Sequence, residues 1–346
     1  MPNATTYHIV GDVHGNFSQL AELLRKLGYA QPNAVTDPYL WRPPDGCMLV
    51  SVGDLVDRGP DSLACMRTIQ RMVGAGYARW VLGNHEWRFR HLLRYELGLE
   101  PEPGPLPRGR LMSYVQILGL TQREKQELLD FIDSTPIFLE LAGGRLVVSH
   151  ALWNSRCPRL KGDQLVQACA FGRADWTDPA TDALELAYEP PSGRPMVVLP
   201  EQVRLPARAQ WTRHWKGPAE VVWGHQIVLP GHVVRIGRTI NVESGCFQGF
   251  ALSAYIWPDD AVVQVAGARP WKNRVKEYDT ANAVAFPHSV DAVAAVVRRN
   301  GLACEDDYLA WLDLELEARG APPPFAELVD SHRRIYRRTR SHGTSS

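Results

Sequence analysis

Five short segments of the sequence place polar, chemically competent side chains directly after an apolar run. They are GDVHG from Gly11, GDLVDRG from Gly53, GNHE from Gly83, SH at 149–150 and GH at 224–225. The apolar runs are typical of β-strands, and ligands of an open α/β sheet bind outside the carboxyl ends of its strands. One such segment alone is more typical of a turn, but the five together predict one shared site.

The residue types in these segments are those that bind divalent metal ions. Carboxylate, imidazole and amide oxygen suit Mn, Fe(II), Zn or Mg, and the absence of cysteine disfavours a structural zinc site. Six candidates are too many for one catalytic ion with an open position, but they suit two ions about 3.5–4 Å apart that share a carboxylate. Such a pair can hold the oxygens of an in-line phosphoryl displacement. The six candidates are Asp12, His14, Asp54, Asn84, His150 and His225.

The elements that must position these residues alternate between strands and amphipathic helices. The runs TYHIV, CMLVSV and YARWVL predict three strands, with helices over NFSQLAELLRKLG and DSLACMRTIQRMVGAG between them. Thr121 and Glu124 form a capping-box pattern that predicts a further helix. The segment IFLELAGGRLVVSHA predicts a hairpin with a two-residue turn at Gly143 and Gly144. Further strands are expected in AEVVWGHQ, TINVES, FALSAYIW and AVVQVAG, so the pattern favours an α/β fold.

Composition sets bounds on domain organisation and partners. The chain has 346 residues, 45% of them hydrophobic, and a formal net charge of zero, which gives no electrostatic case for nucleic acid or a membrane surface. No apolar run approaches the roughly 20 residues of a membrane-spanning helix. Six dispersed cysteines and the lack of a signal-peptide pattern predict a cytoplasmic protein. We expect a catalytic domain over 1–270 and a mainly helical extension with a basic tail over 271–346.

The five segments together resemble the motif set of the calcineurin-like metallophosphoesterases. Within that family they are most similar to the phosphoprotein phosphatase branch and its bacterial relatives. Those relatives include the bis(5′-nucleosyl)-tetraphosphatases and the phosphatase module of polynucleotide kinase-phosphatases. The resemblance extends from about Tyr7 to Val265. It implies two packed mixed β-sheets flanked by helices, an α/β (α+β) sandwich, with a dimetal site at one edge.

The resemblance also implies how the metal ions are held. Both ions would be divalent, with Mn favoured and Fe, Zn, Ni or Mg as alternatives. The first ion would be bound by Asp12 and His14, both would be bridged by Asp54, and the second would be bound by Asn84, His150 and His225.

By the same resemblance, three further residues would carry the reaction. Arg58 would bind the substrate phosphate, which suits its forked and permanently charged guanidinium. His85 would be the general acid that protonates the leaving oxygen, and Asp57 would keep it protonated and oriented. The attack would be direct, by metal-bound hydroxide, without a phosphoenzyme.

The sequence departs from the family pattern at two positions. Leu82 stands where protein phosphatases usually carry an arginine, so one phosphate-binding cation is missing. Arg173, in FGRADWTDP, is the candidate for a replacement, with an ordinary surface arginine as the alternative. Glu243 stands where the family usually has an aspartate, and it is a candidate substrate contact or a structural residue. Glu86 has no assigned chemistry beyond a favourable position at the start of a helix.

Three classes of function stay open at this point. The first is hydrolysis of a small nucleotide or phosphomonoester, with a dinucleoside polyphosphate favoured because of Leu82. The second is the same chemistry on a phosphoserine or phosphothreonine protein, or on an RNA end as a phosphatase or cyclic phosphodiesterase. The basic tail HRRIYRRTR would then be a candidate RNA contact. The third is a non-catalytic metal-dependent scaffold, which would be expected to have lost ligands, whereas here all are present. No pattern indicates the oligomeric state.

Overall fold

Two mixed β-sheets pack face to face in the computed structural model, as the sandwich interpretation predicts. The structure describes residues 5–32, 34–101, 113–114, 116–173, 193–267 and 336–337. The described strands are β1 (Thr6–Val10), β2 (Cys47–Ser51), β3 (Ala78–Trp80), β4 (Phe138–Leu141), β5 (Leu146–Ser149), β6 (Met196–Val198), β7 (Glu220–Trp223), β8 (Val233–Ile236), β9 (Thr239–Asn241), β10 (Ala251–Trp257) and β11 (Ala261–Ala266). The α-helices of the described residues are α1 (Phe17–Lys26), α2 (Ser62–Gly74), α3 (Asn84–Glu96), α4 (Gln122–Asp133), α5 (Gly162–Cys169) and α6 (Trp211–His214).

Each sheet contains three neighbouring parallel strands. The first sheet has the order β11-β10-β1-β2-β3, in which β1, β2 and β3 run parallel. The second has the order β4-β5-β7-β9-β8-β6, in which β5, β7 and β9 run parallel. The predicted metal-competent segments follow the carboxyl ends of five of these six strands, and Glu243 follows the sixth. The two sheets therefore contribute to one edge of the sandwich, as expected for strand-end sites.

An apolar layer holds the two sheets together. Ile9 and Val50 from the first sheet and Val148, Val222 and Ile240 from the second belong to one buried cluster. A second cluster joins the other face of the first sheet to α1, α2, α3 and α4. Each fully buried side chain of this size contributes about 1.5–3 kcal/mol, so the sheet positions are fixed by packing well away from the polar edge.

The local patterns predicted most elements correctly. The capping box is confirmed, because the Thr121 N–H donates to Glu124 Oε2 at 2.8 Å and the Glu124 N–H donates to Thr121 Oγ1 at 3.2 Å. The predicted two-residue hairpin turn is wrong. The last strand pair joins Leu141 to Leu146, which leaves a four-residue connection. Three successive residues from Ala142 have positive φ and form a short 3₁₀ turn there, so the connection is longer than the two-glycine pattern suggests.

The predicted helical extension over 271–346 lies outside the described residues, apart from Tyr336 and Arg337. The domain boundary near residue 270 therefore stays a prediction. Among the residues that are described, no helix is both long and apolar enough to cross a membrane.

The two sheets approach each other backbone to backbone at Gly11. A Cβ atom on this residue would lie 2.4 Å from the carbonyl oxygen of Val242, which follows β9. That distance is far inside van der Waals contact, so the missing side chain lets the ends of β1 and β9 meet. The approach brings Asp12, the next residue after Gly11, alongside Glu243.

Replacing Gly11 with alanine should lower the free energy of unfolding by about 1–3 kcal/mol, because backbone must move to admit the methyl group. Chemical denaturation measures the change. Gly74→Ala is the matched control, since a Cβ there meets nothing within 4 Å. Gly74 ends α2, so alanine should be neutral or stabilise by up to about 1 kcal/mol. Equal effects of the two substitutions would contradict the close-approach argument.

Candidate metal centre

Asp54 lies between two groups of metal-competent atoms. Its Oδ2 atom is 3.6 Å from Nε2 of His14, and its Oδ1 atom is 3.4 Å from Nε2 of His150. Ligand atoms of Asp54, His14 and His85 lie within 4.8 Å of one another, and so do those of Asp54, His150 and His225. One carboxylate oxygen therefore faces each group, which is the arrangement that a bridging ligand between two ions requires.

Asn84 belongs to the second of these groups. Its Oδ1 atom is 3.1 Å from Nε2 of His150 and 2.8 Å from Nδ1 of His225. An amide oxygen and two imidazole nitrogens thus converge beside the bridging carboxylate. The structure brings together the three residues that the sequence predicts for the second ion.

Backbone carbonyls fix the orientation of two of the imidazoles. Nδ1 of His14 lies 3.0 Å from the carbonyl oxygen of Val56, and Nδ1 of His150 lies 2.8 Å from that of Val52. A carbonyl oxygen only accepts, so each Nδ1 carries the hydrogen. Burial lowers the pKa of His14 well below its usual range, so this ring is neutral and its Nε2 keeps a lone pair on the side of Asp54, as in metal-binding histidines.

Asp12 is held against the second sheet. Both of its carboxylate oxygens accept from the backbone N–H of His225, at 3.2 and 3.0 Å, and Oδ2 lies 4.0 Å from Nε2 of His14. Gly224 makes room for this carboxylate, since a Cβ there would lie 2.2 Å from Oδ1. Glu243 is buried beside it, with its own Oε1 accepting from the N–H of Gly245 at 2.9 Å.

The buried charges of this site need cations to balance them. Burial, and next the charge of Glu243, raises the pKa of Asp12 well above its usual range. Burial also raises the pKa of Glu243 to about 8. Burial alone would raise the pKa of Asp54, but His150 and His85 hold it well below its usual range. Because carboxylates are crowded here with imidazoles and an amide oxygen, the donor set fits divalent metal ions.

His85 is held differently from the other imidazoles. Its Nδ1 atom lies 2.6 Å from Oδ2 of Asp57, and its Nε2 atom accepts from Nη2 of Arg58 at 3.2 Å. The backbone N–H of Asp57 donates to the hydroxyls of Ser62 and Ser113, at 3.0 and 2.9 Å. Asp57 is thus anchored and orients the imidazole, which is the geometry expected of a proton donor with a carboxylate partner.

Arg58 contacts both imidazoles of the first group, His14 and His85. Its Nη1 atom donates to Nε2 of His14 at 2.9 Å. Its guanidinium carbon lies 4.1 Å from the centre of the Phe247 ring, and the same ring meets His14 edge to face at 4.9 Å. Phe247 was not predicted from the sequence. It supports the arginine through a cation–π contact. Phe247 lies in a short 3₁₀ helix, Cys246–Gln248, and a single aromatic residue there gave no signal of that role.

Glu86 holds the loop that carries Asp54. Its fully buried carboxylate accepts backbone N–H groups from Gly83 at 3.2 Å, Asp54 at 2.8 Å, Leu55 at 2.7 Å and Val56 at 3.1 Å. Burial, and next the charge of Asp54, raises the pKa of Glu86 to about 8, and the backbone donors oppose that rise. Glu86, to which the sequence assigned no chemistry, is therefore the hydrogen-bond acceptor around which the loop that carries Asp54 is folded.

Arg208, which was not predicted from the sequence, contacts an imidazole of the site. Nη1 of Arg208 donates to Nε2 of His225 at 3.1 Å. The described contacts of the Arg173 side chain are with Oε1 of Gln167 at 3.3 Å and with the ring of Phe171 at 5.6 Å. The role predicted for Arg173 stays untested, while the fold brings Arg208 to His225.

Backbone strain is concentrated in the same place. Among the described residues, seven that are not glycine have positive φ, and two of these, Ala142 and Asp260, lie elsewhere. Left-handed backbone at a non-glycine residue costs of order 1–3 kcal/mol and is found mainly at functional sites. The other five belong to the constellation: His14, Asp54, Asp57, Arg58 and His225.

Changing Glu86 to glutamine should weaken both the fold and the metal centre. The amide NH₂ would face backbone donors, so we expect a loss of about 1–3 kcal/mol in the free energy of unfolding and fewer than two metal equivalents in the purified protein. Chemical denaturation and elemental analysis measure these quantities. Glu140→Gln, at an exposed position on β4, is the control. A destabilised variant that kept full metal content would show that Glu86 acts only on folding.

Comparison with known proteins agrees with this geometry. The pattern of the calcineurin-like phosphoesterase family matches residues 5–229. The asymmetrical bis(5′-nucleosyl)-tetraphosphatase PrpE of Geobacillus sp. (strain WCH70) is 29% identical over 268 residues, which are 76% of this chain and 95% of that protein. The PrpE of Bacillus subtilis (strain 168) is 28% identical over 269 residues, 77% of this chain and 96% of that protein.

A solved structure described provisionally as a diadenosine tetraphosphatase is 23% identical, with a TM-score of 0.46, and covers 78% of this chain and 96% of its own. The family pattern alone spans well over half of the chain, from β1 to the residues just after His225. The chain therefore belongs to the calcineurin-like phosphoesterase family, and the enzyme is a metallophosphoesterase.

Proposed function

We propose that this metallophosphoesterase hydrolyses dinucleoside polyphosphates at a dimetal centre. The observation that carries the proposal is Asp54, whose two oxygens face two separate donor groups. Two arginines and an oriented imidazole beside that carboxylate supply what a phosphoanhydride needs. The names of the PrpE relatives support the substrate class.

We assign the metal ligands as the sequence predicts. Asp12 and His14 would hold one ion, Asp54 would bridge, and Asn84, His150 and His225 would hold the other. Bound there, the two ions supply an activated water and positive charge for the phosphoryl oxygens. Manganese is our proposal for both ions, supported by the mixed carboxylate, imidazole and amide donors, with Fe, Zn, Ni or Mg as alternatives.

Arg58 and Arg208 would bind the phosphate oxygens. Each guanidinium already donates to an imidazole of the site, at 2.9 Å to His14 and 3.1 Å to His225. A guanidinium only donates, and a phosphate oxygen is the stronger acceptor. The two arginines thus contact imidazoles of different groups, and we propose that they hold the attacked phosphate between them.

His85 would deliver a proton to the leaving phosphate through Nε2, once Arg58 donates to the phosphate instead of to this nitrogen. Asp57, 2.6 Å from Nδ1, orients the ring for this step. Leu82 supports a small substrate, because it is buried in the apolar cluster under α3 and contributes no cation to the site. Glu243 remains a proposed substrate contact or a support for Asp12.

The proposal includes a cytoplasmic location and a catalytic domain that ends near residue 270. The five described cysteines are free thiols, which suits a reducing compartment. The last described strand, β11, ends at Ala266, close to the proposed boundary.

Purified protein supplied with manganese tests the function. Diadenosine tetraphosphate should be cleaved faster than a phosphoserine peptide or a 2′,3′-cyclic nucleotide. Asymmetrical cleavage would give ATP and AMP, whereas symmetrical cleavage would give two molecules of ADP, and chromatography separates these products. A preference for the peptide or the cyclic nucleotide would overturn the substrate assignment. Metal-loaded protein that cleaved none of the three would favour a scaffold.

Arg208→Ala should lower kcat/KM for diadenosine tetraphosphate about tenfold or more, because a charged hydrogen bond to phosphate is lost. Arg173→Ala is the matched control, and its kcat/KM should stay within about twofold of the wild type. Steady-state kinetics on the two variants decide between the arginines. A larger effect at Arg173 would restore the original sequence-based assignment.

A further inference from the structure

A cavity of about 710 Å³ lies between two segments that also contribute residues to the candidate metal centre. One wall is the loop after β5, which includes Trp153, three residues beyond His150. The other wall is formed by residues between Ala207 and Pro218, a segment that includes α6. The lining residue Ala207 is the sequence neighbour of Arg208, which contacts the metal-competent His225. The volume is in the range of small-molecule sites.

Two buried donors in the cavity lining lack partners. The side chains of Trp153 and Trp211 are only 3% and 4% exposed. Neither indole N–H has a hydrogen-bond partner among the described residues. An unpaired buried donor costs about 1–3 kcal/mol, so an acceptor that reached either N–H would be stabilised there.

Trp215 presents a fixed aromatic ring to the same cavity. Its Nε1 donates to the carbonyl oxygen of Ala219 at 3.0 Å. Gly217 lies so close that a Cβ there would be 2.2 Å from the ring. The ring is held on one side by backbone, and it is half-buried rather than covered, as suits a stacking surface.

The polar residues of the lining favour an anion. Arg156, His214 and Lys216 line the cavity, and none of its described lining residues is Asp or Glu. Asn154 and Gln210 add amide groups of the kind that pair with base edges. The tryptophan rings, the amide groups and the positive charge of the lining together match a flat aromatic ring that carries phosphate.

We propose that this cavity binds one nucleobase of the substrate, stacked on Trp215, with the polyphosphate chain passing Arg208 to the metal centre. The inference rests on the proposed function and adds the site for a nucleoside. It explains how a metal centre that recognises only phosphate would prefer a nucleotide over other phosphate esters.

Trp215→Ala should raise KM for diadenosine tetraphosphate about tenfold, the usual scale for loss of one base stack. The kcat for p-nitrophenyl phosphate, which reports the metal centre, should stay within about twofold. Trp215→Phe should keep most of the affinity.

Lys216→Ala, at an exposed position that leaves the fold intact, should shift KM in the same direction as Trp215→Ala. Tyr39→Ala, an aromatic outside this cavity, is the control and should change neither value.

Inhibition of p-nitrophenyl phosphate hydrolysis by AMP and by ribose 5-phosphate tests the cavity independently of the proposed function. AMP should inhibit the wild type about tenfold more strongly, and Trp215→Ala should remove that preference. If the wild type failed to cleave diadenosine tetraphosphate but kept the AMP preference, the proposed function would fail and the base site would stand. Equal inhibition of the wild type by the two compounds would overturn the base site. Loss of phosphopeptide turnover alone in Trp215→Ala would also overturn it, in favour of a peptide groove.

Discussion

The site depends on one carboxylate being held in place by another. Asp54 must present one oxygen to each of two donor groups, and the loop that carries it is gathered around the buried Glu86. The N-terminus of α3 supports both, since the His85 N–H donates to Oδ1 of Asp54 at 3.0 Å. A helix N-terminus favours negative charge. It therefore offsets part of the repulsion between the buried carboxyl groups of Asp54 and Glu86.

The rest of the fold supplies the partners of that carboxylate from two directions. Three parallel strands of each sheet end at the same edge, so the donors of one ion come mainly from the first sheet and those of the other mainly from the second. The apolar layer between the sheets fixes the separation of the two groups. The left-handed residues are concentrated where these strand ends turn into the site, and packing elsewhere must offset their strain.

Much of this arrangement could be predicted because its signals are local. An apolar run followed by glycine and a polar residue marks a strand end, and parallel strand ends share an edge, so Asp12, Asp54 and His150 could be placed together from sequence. Arg208 could not, because its contact with His225 depends on how a segment without a periodic pattern folds across the sheet. Phe247 was missed for the same reason.

Glu86 shows a different limit of sequence reasoning. Its position at the start of a helix was evident, but its role depends on backbone N–H groups, which leave no mark on residue type. The prediction of the turn after β4 was wrong for a related reason. Successive left-handed residues from Ala142 make the connection longer than the two glycines indicated.

Because the metal-binding side chains come from both sheets, the ions would also link the two sheets of the sandwich. Asp54 and Asn84 come from one sheet, and His150 and His225 from the other. Any ion that binds both sets binds only the docked sheets, so its binding energy adds to the energy of docking. The thermal stability of the domain then rises with the free metal concentration by mass action. A chelator would therefore lower the stability of the domain as well as its activity.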